Sequence, residues 1–329
     1  MRDETLQSPT MIINFADIER AAERIAAYAV RTPALRSPHL DELTGATLLF
    51  KCENLQRAGA FKFRGACNAV MALADDVAAP GVVTHSAGNH GAALALAARL
   101  RGIPAYVVVP EGTVKSKVEA IREYGASLHF CAPTLAAREA ECERLRQETG
   151  ATLVHPFEAP HVIAGQGTAA LELIRDAGEL DIIMTPISGG GLISGTAIAA
   201  RELLPQIKVF AAEPEGAADA FESLRRGERV TDVVPNTICD GLRASIGAVN
   251  FGLLQRFAVT VLPVSDAQAI AAMRLIFERV KLVVEPSSAT VLAAVLRHRE
   301  HFAGQRVGLI LSGGNVDLDQ LPWQTPRAE

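Results

Sequence analysis

The stretch GAFKFRGACNAV, Gly59 to Val70, sets Lys62 between Phe61 and Phe63. An ammonium is costly to bury unpaired, so a lysine among aromatic rings either reaches water or exists partly as the neutral amine. The neutral amine is a nucleophile toward an aldehyde and a base toward a C–H proton. The ordinary alternative is an amphipathic segment whose lysine points to solvent. Three further stretches carry groups that such an amine needs around it. Ser188-Gly189-Gly190-Gly191-Leu192 places small residues where backbone amides converge on an anion at a helix start, unless the glycines serve only a tight turn. The familiar nucleotide motifs do not fit there, because G-x-G-x-x-G fails at Ser194 and Gly195 is followed by Thr196 rather than lysine. Ser86-Ala87-Gly88-Asn89-His90-Gly91 offers a hydroxyl, an amide and an imidazole, suited to a carboxylate or a polar ring substituent. Leu311-Ser312-Gly313-Gly314-Asn315 sets a hydroxyl inside a glycine turn, where a serine also serves as a helix cap.

These turns follow apolar, β-branched runs and precede helical patterns. GVVTHS (81–86), AYVVVP (105–110), SLHF (127–130), TLVHP (152–156), IIMTPI (182–187), IKVFAAEP (207–214), AVTVLPVS (258–265) and RVGLILSGG (306–314) read as strands. Alternation of this density implies an α/β protein with parallel sheets covered by helices on both faces. In such folds ligands bind at the carboxyl ends of the strands, where these turns lie. Ile182 to Ala200 is 19 residues long and uncharged, yet Pro186 and three consecutive glycines make it a strand, a turn and a helix rather than a membrane span.

Composition narrows the function classes. With 329 residues, of which 49% are hydrophobic, the chain buries a large core and has room for two domains. A net charge of −5 without a lysine-arginine run gives no footprint for nucleic acid or an anionic membrane. The five scattered cysteines form no C-x-x-C pair and suit a reducing cytoplasm, and the charged, polar N-terminus does not read as a signal peptide.

Read together and in order, KCENLQRAGAFKFRGACNAV, THSAGNHGAALALAARLRGIPAYVVVP, HVIAGQGTAALEL, SGGGLISG, AAEPEGAADA, CDGLRASIG, ERVKLVVEP and LSGGNVDL resemble the fold-type II pyridoxal-phosphate enzymes of the serine racemase and serine/threonine dehydratase family. The resemblance runs from about Ile18 to Leu318. It implies two open, twisted parallel-sheet domains of the tryptophan synthase β type, with the cofactor in the cleft between them. Residues 1–54 and 154–329 would form the larger cofactor-binding domain and 55–153 a smaller inserted one. Lys62 would be the Schiff-base lysine, with Phe61 beside the cofactor ring. Asn89 would meet the ring hydroxyl, Ser188 to Leu192 the phosphate, and Ser312 the pyridine nitrogen. Ser86, Ala87, Asn89, His90 and Arg138 would surround the substrate, although His90 also fits a backbone-bonded helix residue and Arg138 an ordinary surface arginine.

The resemblance further implies a homodimer and a Mg²⁺ site, open also to Mn²⁺ or Ca²⁺, formed by Glu213, Ala217 and Asp219. Two carboxylates and a backbone carbonyl suit a hard cation, while two acids in a loop are more often simply solvated. Three residues depart from the racemase pattern: Ala87 and Ala244 stand where racemases carry serines, and Phe157 where they carry an asparagine. The expected activity is therefore dehydration and deamination of an L-β-hydroxy amino acid. Threonine and serine are the default substrates, and 3-hydroxyaspartate needs a cation such as Arg138 or Arg243 for its second carboxylate. A racemase with side elimination and a β-replacement synthase are the alternatives. Because the chain ends soon after LSGGNVDL, feedback control by an appended domain is not expected.

Overall fold

The computed structural model describes residues 13–86, 88–113 and 115–324. Short apolar strands in this sequence cannot bury both faces alone, and they gather into two sheets. The smaller holds β3 (Val82–Thr84), β4 (Ala105–Pro110), β5 (Ser127–Cys131) and β6 (Thr152–Leu153), in the order β5-β4-β3-β6 and all parallel. The larger holds β1 (Ala34–Leu35), β2 (Thr47–Cys52), β7 (Ile182–Pro186), β8 (Lys208–Pro214), β9 (Thr260–Val264) and β10 (Arg306–Leu311), in the order β1-β2-β10-β7-β8-β9. Only the two-residue β1 runs antiparallel, on the edge against β2. The two-domain, parallel-sheet expectation is met.

Helices cover both faces of the larger sheet. Leu171, Leu173 and Ile174 of the helix Pro160–Ala177 pack with Ile193 and Ala197 of the helix Gly191–Leu203 on one side. Val291, Leu292 and Val295 of the helix Pro286–Arg297 pack with Met184 and Leu309 on the other. Val70 of the helix Lys62–Met71 and Leu94 of the helix Asn89–Arg101 share a third core with Val82 and Val107 of the smaller sheet. The uncharged Ile182 to Ala200 stretch divides into β7, a glycine turn and a helix, and no helix among the described residues is long and apolar enough to cross a membrane.

Topology decides where a ligand can sit. β10, the last strand, inserts between β2 and β7, with Leu311 opposite Cys52 and Leu309 opposite Met184. The chain thus reverses its direction of travel across the sheet at β10, and such a switch point opens a crevice at the carboxyl ends of the strands. Three turns emerge there side by side: Glu53 onward after β2, Ile187 to Gly191 after β7, and Ser312 onward after β10.

Two local readings differ from the sequence expectation. β6 stops at Leu153 instead of running to Pro156, because His155 turns the chain. Its Nδ1 accepts the N–H groups of Phe157 and Glu158 at 3.4 and 3.1 Å. The strand β2 was not anticipated, since Lys51 interrupts its apolar run. The lysine is nevertheless fully buried, its amine donating to Glu172 and to the Thr32 carbonyl, both at 2.6 Å.

Candidate active site

Lys62 opens the helix Lys62–Met71. The segment before it is pinned to the end of β10, for the Phe61 N–H donates to the Ser312 carbonyl at 2.9 Å and Ala60 bridges Gly313. The Lys62 amine donates to the Pro156 carbonyl at 2.9 Å and lies 5.2 Å from the Phe61 ring centre. Its acceptor is neutral, and the residue is half-buried. Burial therefore lowers its pKa to about 8, against the opposing pull of Glu285.

Glu285 is the residue that sequence reasoning missed. It is buried at the start of the helix Pro286–Arg297, with its backbone N–H on the Gly313 carbonyl at 3.0 Å. Burial raises its carboxyl to about 7. Asn89 Nδ2 donates to both carboxyl oxygens at 3.1 Å, and Asn89 Oδ1 accepts from Asn315 Nδ2 at 3.0 Å. Asn315 Nδ2 in turn reaches the Ala58 carbonyl at 2.8 Å. One connected set thus joins the Asn89 turn, the Ser312 turn and the segment leading to Lys62. The available signal was a carboxylate directly after an apolar run and directly before a helix-starting proline, within ERVKLVVEP.

The glycine turn closes the far side. Gly190 caps the helix Gly191–Leu203 with φ of 94°, a left-handed conformation that disfavours side chains. The helix's first N–H groups lack intrahelical acceptors and face outward, as an anion requires. A Cβ on Gly189 would stand 2.3 Å from the Phe157 ring, and one on Gly191 2.9 Å from the Phe157 carbonyl. Asn250 Nδ2 ties the Phe157 and Gly189 carbonyls together at 2.9 and 2.6 Å. Ser188 spends its hydroxyl on Ala244, donating to the carbonyl at 2.9 Å and accepting the N–H at 3.0 Å. Leu192 and Ser312 are buried. Because Lys62 holds Pro156 and Phe157 covers Gly189, the turn after β6 links the amine to the glycine cradle.

Around the amine lie three imidazoles. His90 Nε2 meets the Val154 carbonyl at 3.2 Å, and burial with the nearby Lys62 charge holds its pKa well below the ordinary value. His155 falls to about 4 through burial and the neighbouring His85. His85 and His155 approach edge to face at 5.6 Å, as do His155 and Phe157 at 4.6 Å. Burial lowers His85 as well, so all three rings favour the neutral imidazole. Arg138 is half-buried on the helix Leu135–Thr149, and its Nε has no hydrogen-bond partner among the described residues. Ser86 is half-buried at the start of its turn, and Ala87 lies outside the described residues.

Glu213 and Asp219 sit apart, at the end of β8 and the start of the helix Asp219–Arg226. Both are buried. Glu213 accepts the N–H groups of Ala220 and Phe221 at 2.9 Å, and Asp219 that of Ile246 at 2.7 Å. Burial, with the Asp219 charge adding to it, still pushes Glu213 up to about 8, and burial pushes Asp219 to about 6. Ala217 is buried in the turn between them.

Residues 25–313 match the family described as pyridoxal-phosphate dependent enzyme. The chain is 46% identical to the beta-hydroxyaspartate dehydratase of Paracoccus denitrificans over 312 residues, covering 95% of this chain and 99% of that one. It is 47% identical to a serine racemase of Dictyostelium discoideum over 317 residues, with 95% and 98% covered. The solved structure of maize serine racemase superposes with a TM-score of 0.92 at 45% identity, covering 94% of this chain and 95% of the other. The chain belongs to the family of pyridoxal-phosphate-dependent enzymes.

Proposed function

We propose that this protein is a pyridoxal-phosphate-dependent dehydratase that removes water and ammonia from an L-β-hydroxy amino acid to give a 2-oxo acid. The observation that carries the reading is the Lys62 amine, held in the cleft by a carbonyl rather than a carboxylate and shifted to about 8. The cleft also fits the cofactor. Gly189 and Gly191 leave no room for a side chain beside the helix start, which suits backbone approach to a phosphate. In this reading Lys62 anchors the cofactor, Phe61 flanks it, Asn89 and Ser312 face its ring, and Ser188 to Leu192 hold its phosphate.

Pyridoxal phosphate, when bound, supplies the electron sink for charge left on the substrate Cα, a weaker sink opposite the Ser312 hydroxyl than opposite a carboxylate. The Lys62 amine would take the Cα proton. That proton passes to the β-hydroxyl as its C–O bond breaks, so the group leaves as water. The released enamine hydrolyses to the 2-oxo acid and ammonia. Ser86 and the N–H groups opening the helix Asn89–Arg101 would receive the substrate carboxylate, and the neutral His90 and His155 leave the amine as the base of the site. The Asn315–Asn89–Glu285 set keeps the Asn89 amide from turning.

Racemisation needs a proton donor on the face opposite Lys62, and the resemblance aligns Ala87, which has no acidic proton, with the racemase serine. Incubation with L-threonine, L-serine and 3-hydroxyaspartate, measuring 2-oxo acid, ammonia and both enantiomers, tests the reading. Equal yields of 2-oxo acid and ammonia, with residual substrate remaining L, are expected from at least one of them. D-enantiomer formed as fast as 2-oxo acid would favour the racemase reading suggested by the likeness to serine racemases. Turnover of 3-hydroxyaspartate would draw on Arg138, whose Nε is unpartnered among the described residues, rather than on Arg243, whose guanidinium is committed to the Thr237 carbonyl.

A divalent cation at Glu213, Ala217 and Asp219 belongs to the same reading, as does a homodimer. Burial displaces both carboxyls upward toward the neutral form, and a hard cation between them would hold them ionised. Chelation is expected to lower Tm by several degrees, and Mg²⁺, Mn²⁺ or Ca²⁺ to restore it. Saturation about a hundredfold above the dissociation constant is worth about 2.7 kcal/mol. Asp219→Ala should abolish the response. Equal Tm and rate before and after chelation would leave Glu213 and Asp219 as a hydrogen-bonded structural pair.

A further inference from the structure

We infer that Arg64 is a positioning residue for Lys62, locking the start of the lysine's helix to the two elements that frame the cleft. Arg64 follows Lys62 by two residues on that helix, and its guanidinium has no exposed surface. Its Nε and Nη2 donate to Glu53 at 2.7 and 2.9 Å, while Nη1 and Nη2 donate to Glu172 at 2.8 and 2.7 Å. Nη1 also reaches Thr168 Oγ1 and Nη2 the Val30 carbonyl, each at 3.2 Å. Glu53 lies directly after β2, whose end pairs with the end of β10, and Glu172 lies on the helix Pro160–Ala177 that leads into β7. The lysine helix is therefore tied to both walls of the crevice through one planar fork.

Stability alone does not call for this arrangement. Apolar groups of matching shape commonly replace a buried ion cluster without loss, whereas a charged fork fixes direction and register. The lysine helix lies close against its neighbour, where the Gly65 N–H donates to Gln166 Oε1 at 3.1 Å and Asn68 Nδ2 to the His161 carbonyl at 2.7 Å. A Cβ on Gly65 would stand 2.7 Å from the Val162 carbonyl, and one on Gly165 2.6 Å from the Arg64 carbonyl. Those two bonds hold the lysine helix to the helix Pro160–Ala177, and Arg64 extends the tie to Glu53 at the end of β2. Lys51 balances the cluster by donating to Glu172, the carboxylate it shares with Arg64, but it belongs to β2 and not to the lysine helix.

The inference rests on Lys62 being the covalent anchor, and one comparison separates the two claims. Wild-type, Arg64→Lys, Glu53→Gln and Lys51→Met proteins are purified at full length. Each is measured for Tm, for kcat and KM, for borohydride-stable attachment of pyridoxal phosphate at residue 62, and for the pH midpoint of cofactor uptake. Arg64→Lys keeps the charge and loses the fork. It should lower kcat at least tenfold with KM little changed, and move the midpoint upward from about 8 as the amine gains water. Glu53→Gln should shift both in the same direction, and it decides the matter if Arg64→Lys does not fold. Lys51→Met should lower Tm while leaving kcat and the midpoint in place. Loss of Tm without change of kcat or midpoint in Arg64→Lys, or equal loss of kcat in Lys51→Met, overturns the positioning role. Absence of label at residue 62 in the wild type overturns the reading of Lys62 instead.

Discussion

Lys62→Ala is expected to lower turnover by about a thousandfold or more, since one side chain serves as both anchor and proton acceptor. The variant should also lose the absorbance of covalently held pyridoxal phosphate while retaining its Tm in the absence of cofactor. Wild-type uptake of the cofactor should depend on pH through the same amine. Only the neutral form attacks an aldehyde, so the rate should rise with pH and level off above about 8, well below the range of an ordinary lysine. Stopped-flow absorbance across pH 6 to 10 checks this. Activity and absorbance surviving in Lys62→Ala would move the chemistry to another residue.

Gly190→Val should weaken cofactor binding by about a hundredfold, close to 3 kcal/mol. Two effects add. Its φ of 94° is strained for any side chain, and worse for a β-branched one. A Cβ there would also lie 2.6 Å from both Asn250 Cβ and Ile246 Cδ1. Asn250 clamps Phe157 to Gly189, so its displacement opens the cradle from the side away from the ligand. Gly190→Ala should fall between valine and wild type in a fluorescence titration with pyridoxal phosphate. An unchanged affinity in both variants, with unchanged circular dichroism, would place the phosphate elsewhere.

The class of fold was legible because its strands are short, apolar and β-branched, with glycines at their ends: AYVVVP is β4 residue for residue. Lys62 and the three turns were legible for a related reason, since chemistry at the carboxyl ends of parallel strands leaves small and polar residues directly after apolar runs. What escaped reading depends on partners distant in sequence. Glu285 and Asn89 lie 196 residues apart and acquire their relation only when β10 brings the Gly313 turn beside both. Lys51 and Arg64 look like surface cations in isolation, and only the carboxylates of Glu53 and Glu172 explain their burial. Although burial opposes its charge, Arg64 is held more firmly protonated than usual by those two acids. His155 ended β6 early through a side-chain bond to backbone that no periodicity records.

The placement of β10 bears on how the chain is made as well as on what it holds. The four strands of the smaller sheet lie within residues 82–153 and form from one continuous stretch. The centre of the larger sheet stays open until Arg306–Leu311 has left the ribosome, with β2 on one side and β7 on the other presenting unpaired edges. Domains generally fold as units and in order of synthesis, and exposed strand edges are where nascent chains aggregate. The last of this sheet's described strands in chain order is thus its keystone. Its arrival closes both edges and delivers Ser312 and Asn315 beside Lys62 in one event, so the crevice comes into being only on a chain whose two edges are already sealed.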